Sequence, residues 1–413
     1  LANAANSAGF FARNPTSKVI LALIAGLTFG SVLPQVASQL DIVSKLFIQL
    51  VKTTATPLVF FAILDAVLNH NVVGRDFLRL ASINLTNASI AIGIGIVVAN
   101  FARPGDMLKD LASHMPESAT KIGDKLNAKD LVLQQFPTSV MQPFLENAIM
   151  PTVILALALA FAIRSFSNQH RTSEAFPIAK MQSFAISGRN LMEVVLGWIV
   201  KLIPFAVFAA SAKVVSQHGL SPFKGLTVYV LWCIAAMILH VAIVYQAWIA
   251  LVARRSLRTF WKIAIEPVTY AFGVNSSLVA LPLTLKGLDR LGVNRSSSTL
   301  AACVGTNLNN DGIILYEGFT LLVIAQAMGI DLSLQQQLLA AGYCVVAAMG
   351  VAGIPEAGII ALSLVLTAFG IPAEMIAVLL AVDWILARMR SAVNVLSDMT
   401  GSIIIDLNRK TQG

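Results

Sequence analysis

The sequence predicts an all-α polytopic membrane protein, and three observations carry that prediction. Hydrophobic residues make up 57% of the 413 residues and charged residues only 12%, with a mean hydropathy of +0.77. Apolar runs of about 20 residues, the length that crosses a bilayer as a helix, recur through the chain. Third, four ionisable side chains lie in one otherwise apolar stretch, DWILARMRSAVNVLSD at 383–398. Each costs about 2.5–3.5 kcal/mol at a bilayer centre on insertion scales, so such residues are held inside a bundle and mark an ion or substrate path. The net charge of +8 does not indicate nucleic acid, because the basic residues gather at the ends of apolar runs. Cys233, Cys303 and Cys344 sit in apolar context without a CxxC and read as small buried hydrophobes. The histidines show no metal spacing, and no nucleophile–base pair is evident, which argues against an enzyme. The opening LANAANSAGFFARNPTSK lacks the apolar stretch of a signal peptide.

The elements follow in order. Apolar spans cover 18–36, 42–68 and 77–102. The segment 103–130 is polar, with five basic and five acidic residues, as expected of an external loop. A span at 144–163 comes next, then long helices at 179–216 and 222–252 split by QHGLSP. Basic residues flank alternate gaps (Arg75 and Arg79; Arg164 and Arg171; Arg254, Arg255 and Arg258; Arg409 and Lys410), while SQLD and MGIDLSLQQQ carry none. That asymmetry places both termini in the cytoplasm. Gly26 and Gly30 form a GxxxG, which in so apolar a chain is given no weight, and the glycosylation patterns at Asn84, Asn87 and Asn275 lie at membrane depth.

The last third differs. An apolar segment over 256–288 is interrupted by GVNSSLVALP, and another over 332–370 by GVAGIPEAG. Gly, Ser and Pro at membrane depth are tolerated only inside protein or beside a water-filled cavity, so both segments read as re-entrant hairpins. Each is followed by a span with polar residues at its middle. Charge asymmetry puts the first hairpin inside and the second outside, which makes the repeat inverted, the pattern of secondary transporters with a midplane site.

The chemistry gathers at four places. At 100° per residue, Asp383, Ala387, Arg390, Asn394 and Asp398 share a sector of roughly 80°, while Arg388 points about 140° away from Asp383. This stripe is either a ladder that fixes helix packing or a cationic anchor flanked by carboxylates for small cations; the second reading is preferred. NLNNDG supplies the amides of Asn307, Asn309 and Asn310 and the carboxylate of Asp311, with Gly312 expected to loosen the helix and free carbonyls. Such an all-oxygen set suits Na⁺ or H⁺. Asn84, Asn87 and Ser89 either complete that shell or join helices. Asn275, Ser276 and Ser277 at the first tip offer hydroxyls and helix-end N–H groups to a carboxylate, and Gly350, Gly353 and Pro355 at the second supply carbonyls and hinge freedom. Glu356 receives no role.

These residues resemble the dicarboxylate/amino-acid:cation symporter family, which includes glutamate transporters. The resemblance covers nearly the whole chain and is strongest over 270–407. The family's NMDGT appears as Asn309-Asn310-Asp311-Gly312-Ile313, its serine-rich first tip as Asn275-Ser276-Ser277 before Leu281-Pro282, its GxAGxPGAG at 350–358 with Glu356 in place of glycine, and its last span DWxLDRxRTxxNVxGD at 383–398.

The resemblance implies eight spans, two re-entrant hairpins, inverted repeats, a homotrimer and an elevator mechanism. Residues 1–76 would be scaffold spans 1 and 2, and 77–102 span 3 of the transport domain. Residues 103–219 would be the external loop with scaffold spans 4 and 5, and 220–413 the rest of the transport domain. Substrate contacts would come from Ser276, Ser277, Ile313, Val351, Gly353, Ala387, Arg390, Ser391 and Asn394. Arg390 would take the distal carboxylate, and Ser277, Ser391 and Asn394 the other. One Na⁺ would be held by Asp398 with the backbone of Gly305, Asn309 and Asn394, and another by Asp311 and Asn309 with the span around Asn84 and Asn87. Asn307 belongs to the same polar run. A third Na⁺ would sit under the carbonyls of Ala348, Met349 and Val351.

Amino-acid members carry an aspartate four residues after Asp383 that binds the amine; here that position is Ala387. An ammonium there would lose a counter-charge worth about 3–5 kcal/mol. C4-dicarboxylate members also lack the acid. Ile313 replaces a threonine, Asn310 a methionine, and Asn84, Asn87 and Ala88 the tyrosine, threonine and serine usual near the deeper sodium. The expectation is therefore a Na⁺-coupled symporter of a small organic dianion in the cell membrane, with H⁺ as the alternative ion, no organic cofactor, membrane lipid as surroundings and no nucleic-acid partner. A Na⁺-coupled amino-acid symporter and an anion channel or uncoupled exchanger using Arg388 and Arg390 are the competing readings.

Overall fold

A computed structural model describes residues 15–69, 75–109, 136–169, 178–304, 309–350, 357–372 and 374–410, and among these every regular element is helical. The principal helices are α1 (Pro15–Val32), α2 (Asp41–Asn69), α3 (Arg75–Ala102), α4 (Ile149–Gln169), α5 (Ile178–Val200), α6 (Ile203–His218) and α7 (Ser221–His240). They continue with α8 (Leu257–Val274), α9 (Ser277–Arg290), α10 (Asp311–Ala327), α11 (Leu334–Gly350), α12 (Ala357–Ala368) and α13 (Glu374–Lys410). Three described helices are long and apolar enough to cross a membrane, or four if one bent pair counts as a span.

Two packing groups emerge. α1 lies along α6, and α2 packs on α4 and α5. α3 packs on α7 and α10, while α13 touches α7, α8, α9, α10 and α12. Between the groups run contacts of α13 with α6 and of α2 with α11 and α12. α13, at 37 residues, is about 55 Å long, so it reaches from the basic end of the chain through the polar centre.

Three sequence expectations need correction. The single helix expected over 179–216 is two, α5 and α6, bent by 44° between Val200 and Ile203. Pro204 lies in the first turn of α6, where its fixed φ suits a helix start and its ring disfavours helical backbone before it. The Gly26/Gly30 pair does shape the fold. A Cβ at Gly26 would strike the Ser211 hydroxyl and lie 2.6 Å from the Phe208 carbonyl oxygen, and one at Gly30 would strike the Ala212 carbonyl. The small-xxx-small motif thus sets the close approach of α1 to α6. The third concerns Gly312. It is the second residue of α10, so the break there leaves its N–H for another element, and that N–H donates to Asn394 Oδ1 at 2.9 Å.

α7 continues past His240 through two wide turns, Val241–Tyr245 and Trp248–Val252. Such π-type turns shift the register of side chains and gather at functional sites. Here they place Tyr245 and His240, both fully buried, against the polar centre.

Candidate functional site

The break between α8 and α9 is built by two residues. Asn275 takes the left-handed conformation (φ 55°) and closes α8. Ser276 caps α9, its Oγ accepting the Val279 N–H at 3.2 Å. Ser277 then opens α9 half-buried. The tip is tied to α13 because the Ser391 hydroxyl faces both Asn275 Oδ1 at 3.3 Å and the Ala387 carbonyl at 3.1 Å. Arg388 donates from Nη1 to the carbonyls of Phe272 (2.7 Å) and Gly273 (2.5 Å). It therefore neutralises the C-terminal end of α8, in keeping with its place off the stripe.

Arg390 and Asp383 form a two-pronged ion pair, Nη1 to Oδ1 at 2.7 Å and Nη2 to Oδ2 at 2.8 Å. The two are 3% and 2% exposed. The guanidinium carbon also lies 4.1 Å over the ring of Tyr316, a cation–π contact. Asp383 thus holds Arg390 in place on the stripe. The pair uses two of the guanidinium's five N–H donors. Gly358 at the start of α12 makes room for it, since a Cβ there would lie 2.7 Å from Arg390 Nε. Ile313 and Ala387 are both buried and present only hydrocarbon, so no second carboxylate stands four residues after Asp383.

A second cluster lies where α13 meets the start of α10 and the end of α7. Asp311 Oδ2 accepts the Tyr245 hydroxyl at 2.8 Å and the Ser397 hydroxyl at 2.6 Å, and His240 Nε2 is 3.5 Å away. Asp311 Oδ1 is buried without a hydrogen-bond partner. Ser397 also faces Asn309 Oδ1 at 2.5 Å, yet a hydroxyl has one proton and serves one acceptor at a time. Asn309 Nδ2 donates to Asp398 Oδ1 at 2.9 Å. The cluster is buried, and among the described residues Asp311 keeps one carboxyl oxygen open to a further donor or a cation. A buried carboxylate oxygen short of donors is costly unless a cation completes it, and apart from the His240 imidazole the ligands on offer are hard oxygens.

The remaining expected ligands divide. Asn394 joins α13 to α10, its Oδ1 accepting from Gly312 and its Nδ2 facing Asn310 Oδ1 at 3.4 Å. Asn310 Nδ2 donates to the Ala348 carbonyl at 3.1 Å, so an amide already occupies one carbonyl expected to face a cation. Met349 follows at the end of α11, 37% exposed. Asn87 turns its Oδ1 to the Trp248 indole at 2.7 Å, and its Nδ2 is buried without a hydrogen-bond partner. Asn84 is buried where α3 nears Gly401. Gly305, Asn307, Val351, Gly353 and Glu356 lie outside the described residues.

Sequence reasoning passed over Ser397, Tyr245, His240, Tyr316 and Glu317. Ser397 was within reach, because at 100° per residue it extends the α13 stripe by about 20°. Tyr245 and His240 gave no such signal, since the wide turns that aim them do not show in hydropathy. Glu317 is fully buried on α10, with the Cys344 thiol of α11 beside its carboxyl group.

Helical architecture, apolar spans and a buried ion-pair stripe are features of a multi-pass membrane transporter. Residues 16–407 match the sequence profile of the sodium:dicarboxylate symporter family, and the chain belongs to that family. A C4-dicarboxylate transport protein of Laribacter hongkongensis is 26% identical over 400 residues, covering 94% of this chain and 88% of the relative. One from Deinococcus radiodurans is 26% identical over 411 residues, with 96% and 90% covered. C4-dicarboxylate transport protein 3 of Ralstonia nicotianae is 25% identical over 397 residues, with 94% and 87% covered.

Proposed function

We propose that the protein is a secondary transporter that couples Na⁺ entry to uptake of a small C4-type dicarboxylate across the cell membrane. The observation that carries this reading is the setting of Arg390. It is a buried guanidinium on the stripe, with Ala387 one turn away where an amine-binding acid would stand. A dianion meets a cation there, and an ammonium group meets a methyl. The relatives named above are C4-dicarboxylate transport proteins, which accords with that pocket. Substrate contacts are assigned to Ser276, Ser277, Ile313, Val351, Gly353, Ala387, Arg390, Ser391 and Asn394.

The acceptor-rich cluster of Asn309, Asp311 and Asp398 is assigned to Na⁺, because entry of an anion against a negative-inside potential requires co-transported positive charge. Asn394 and the backbone of Gly305, with Asn307 nearby, belong to the same assignment. Asn84 and Asn87 extend it towards α3, although Asn87 already shares its oxygen with Trp248. Eight spans with two re-entrant hairpins, a homotrimer and an elevator movement complete the proposal, with both termini cytoplasmic. The two packing groups support the division into scaffold (1–76 and 103–219) and transport domain (77–102 and 220–413).

The test is uptake of labelled succinate into liposomes under an imposed Na⁺ gradient. The proposal expects accumulation that collapses when K⁺ replaces Na⁺. Equal uptake in both salts would remove Na⁺ coupling, and no uptake of any dicarboxylate would remove the substrate class.

A further inference from the structure

α8 buries one side, with Phe260, Ile263, Ala264, Pro267 and Ala271 in the core. At 100° per residue the opposite sector, about 120° wide, carries Arg258 and Lys262 near the start of the helix, then Trp261, Ile265, Val268 and Phe272 towards its end. Arg258 and Lys262 are exposed, and Ile265 is 53% exposed. The acid of this stretch, Glu266, is paired with Arg290 at 3.0 Å, so it does not offset the two cations. The sector is therefore divided along its length: charged at one end and hydrocarbon over the rest.

The hydrocarbon end opens on a cavity of about 580 Å³ between α8, α7 and α13, well within the size that holds a ligand. Its walls include Trp261, Val268 and Phe272 of α8 and Ile238 of α7, and its floor includes Ala392 and Val393 of α13. The polar side chains Trp261 and Gln246 are engaged with one another, Nε1 to Oε1 at 3.0 Å, and Gln246 Nε2 donates to the Val241 carbonyl at 3.1 Å. Thr269 is the other polar residue of the lining, and what the walls mainly present to an occupant is hydrocarbon.

We propose that this groove is a binding site for one anionic phospholipid, with an acyl chain in the cavity and the phosphate on Arg258 and Lys262. A soluble anion leaves the hydrocarbon unfilled, and a neutral lipid leaves two adjacent cations without a counter-charge. Trp261 lines the cavity next to Lys262, a placement that suits the preference of tryptophan for membrane interfaces. Basic residues at a helix end beside an interhelical pocket are a general way of holding anionic headgroups. The site also bears on transport. The cavity floor is the side of α13 that faces away from the polar stripe, and Arg388 ties the cavity wall at Phe272 back to α13. A lipid seated there braces the substrate helix from behind.

The experiment compares the full-length protein in phosphatidylcholine vesicles with the same vesicles containing about one-fifth phosphatidylglycerol. Lipid retained after extraction is read by native mass spectrometry and stability by thermal unfolding. Wild type is expected to retain phosphatidylglycerol and to melt higher in its presence, while inorganic phosphate added to phosphatidylcholine vesicles has no effect. Arg258→Glu with Lys262→Glu removes the headgroup contacts and should lower retention about thirtyfold. Ala242→Trp fills the cavity, which Ala242 lines, and should lower retention without altering charge. Equal retention of both lipids by wild type would overturn the proposal. So would a shift reproduced by inorganic phosphate, retention unchanged in either variant, or loss in the Trp variant alone, which would mark a neutral hydrocarbon ligand.

Discussion

Replacing Arg390 by alanine removes two things at once, and the geometry allows them to be separated. The guanidinium is the partner of Asp383 through two bonds of 2.7 and 2.8 Å, and it is the anchor assigned to the dianion. Arg390→Ala leaves Asp383, 2% exposed, as an unpaired buried charge, which costs about 3–5 kcal/mol of stability. Loss of the anion contact costs about 2–5 kcal/mol of binding, a fall of roughly thirtyfold to several-thousandfold in affinity. The double variant Arg390→Ala with Asp383→Asn removes the orphaned carboxylate, so most of the stability should return. Binding should not, because the anchor is still gone. Thermal unfolding reports the first quantity and calorimetric titration with succinate the second. Recovery of both in the double variant would show that Arg390 only holds the helix in place, and the pocket would have to be sought elsewhere.

Three further outcomes follow from the same geometry. Asp311→Asn or Asp398→Asn should raise the Na⁺ concentration for half-maximal succinate binding about tenfold, within the usual range of coupling energies; an unchanged Na⁺ titration in both variants would leave the cluster without an ion. Arg388→Ala loses its bonds to the Phe272 and Gly273 carbonyls, each worth about 1.5–3 kcal/mol of stability, but should keep measurable succinate binding because the anchor at Arg390 remains. Abolished binding in that variant would place Arg388 in the pocket. Gly30→Leu should force α1 from α6 and cost about 1–3 kcal/mol by overpacking, whereas Gly93→Ala, which meets nothing within 4 Å, should not; comparable melting losses would contradict the packing role.

The readable part of this molecule was the part written as periodicity and composition. The α13 stripe appears in the sequence because an α-helix keeps its angle over sixteen residues, so Arg390, Asn394 and Asp398 could be placed on one side before any coordinates. The tip at Asn275–Ser276 was readable because a capping serine after a residue tolerant of left-handed backbone is a local signal. What could not be read depends on contacts between distant segments. The weight of Gly26 and Gly30 lies in the backbone of α6, some 180 residues away, and a GxxxG says nothing of whether a partner exists. The Asp383–Arg390 pair was not legible either, because spacing shows which residues share a side and not which of them pair. Tyr245 and His240 reach Asp311 through wide turns whose sequence is ordinary apolar helix.

The central claim is that the anion held at Arg390 carries no ammonium group, because Ala387 offers it no acid. The most direct measurement is a competition between succinate and aspartate, matched in carbon skeleton and both carboxylates, for the wild-type protein and for Ala387→Asp in saturating Na⁺. Succinate should compete better at the wild type by about a hundredfold or more, from the 3–5 kcal/mol of an uncompensated charge. Ala387→Asp should move the preference towards aspartate while weakening succinate, since the new carboxylate faces Arg390. Tighter binding of aspartate than succinate by the wild type would contradict the claim and make the protein an amino-acid symporter.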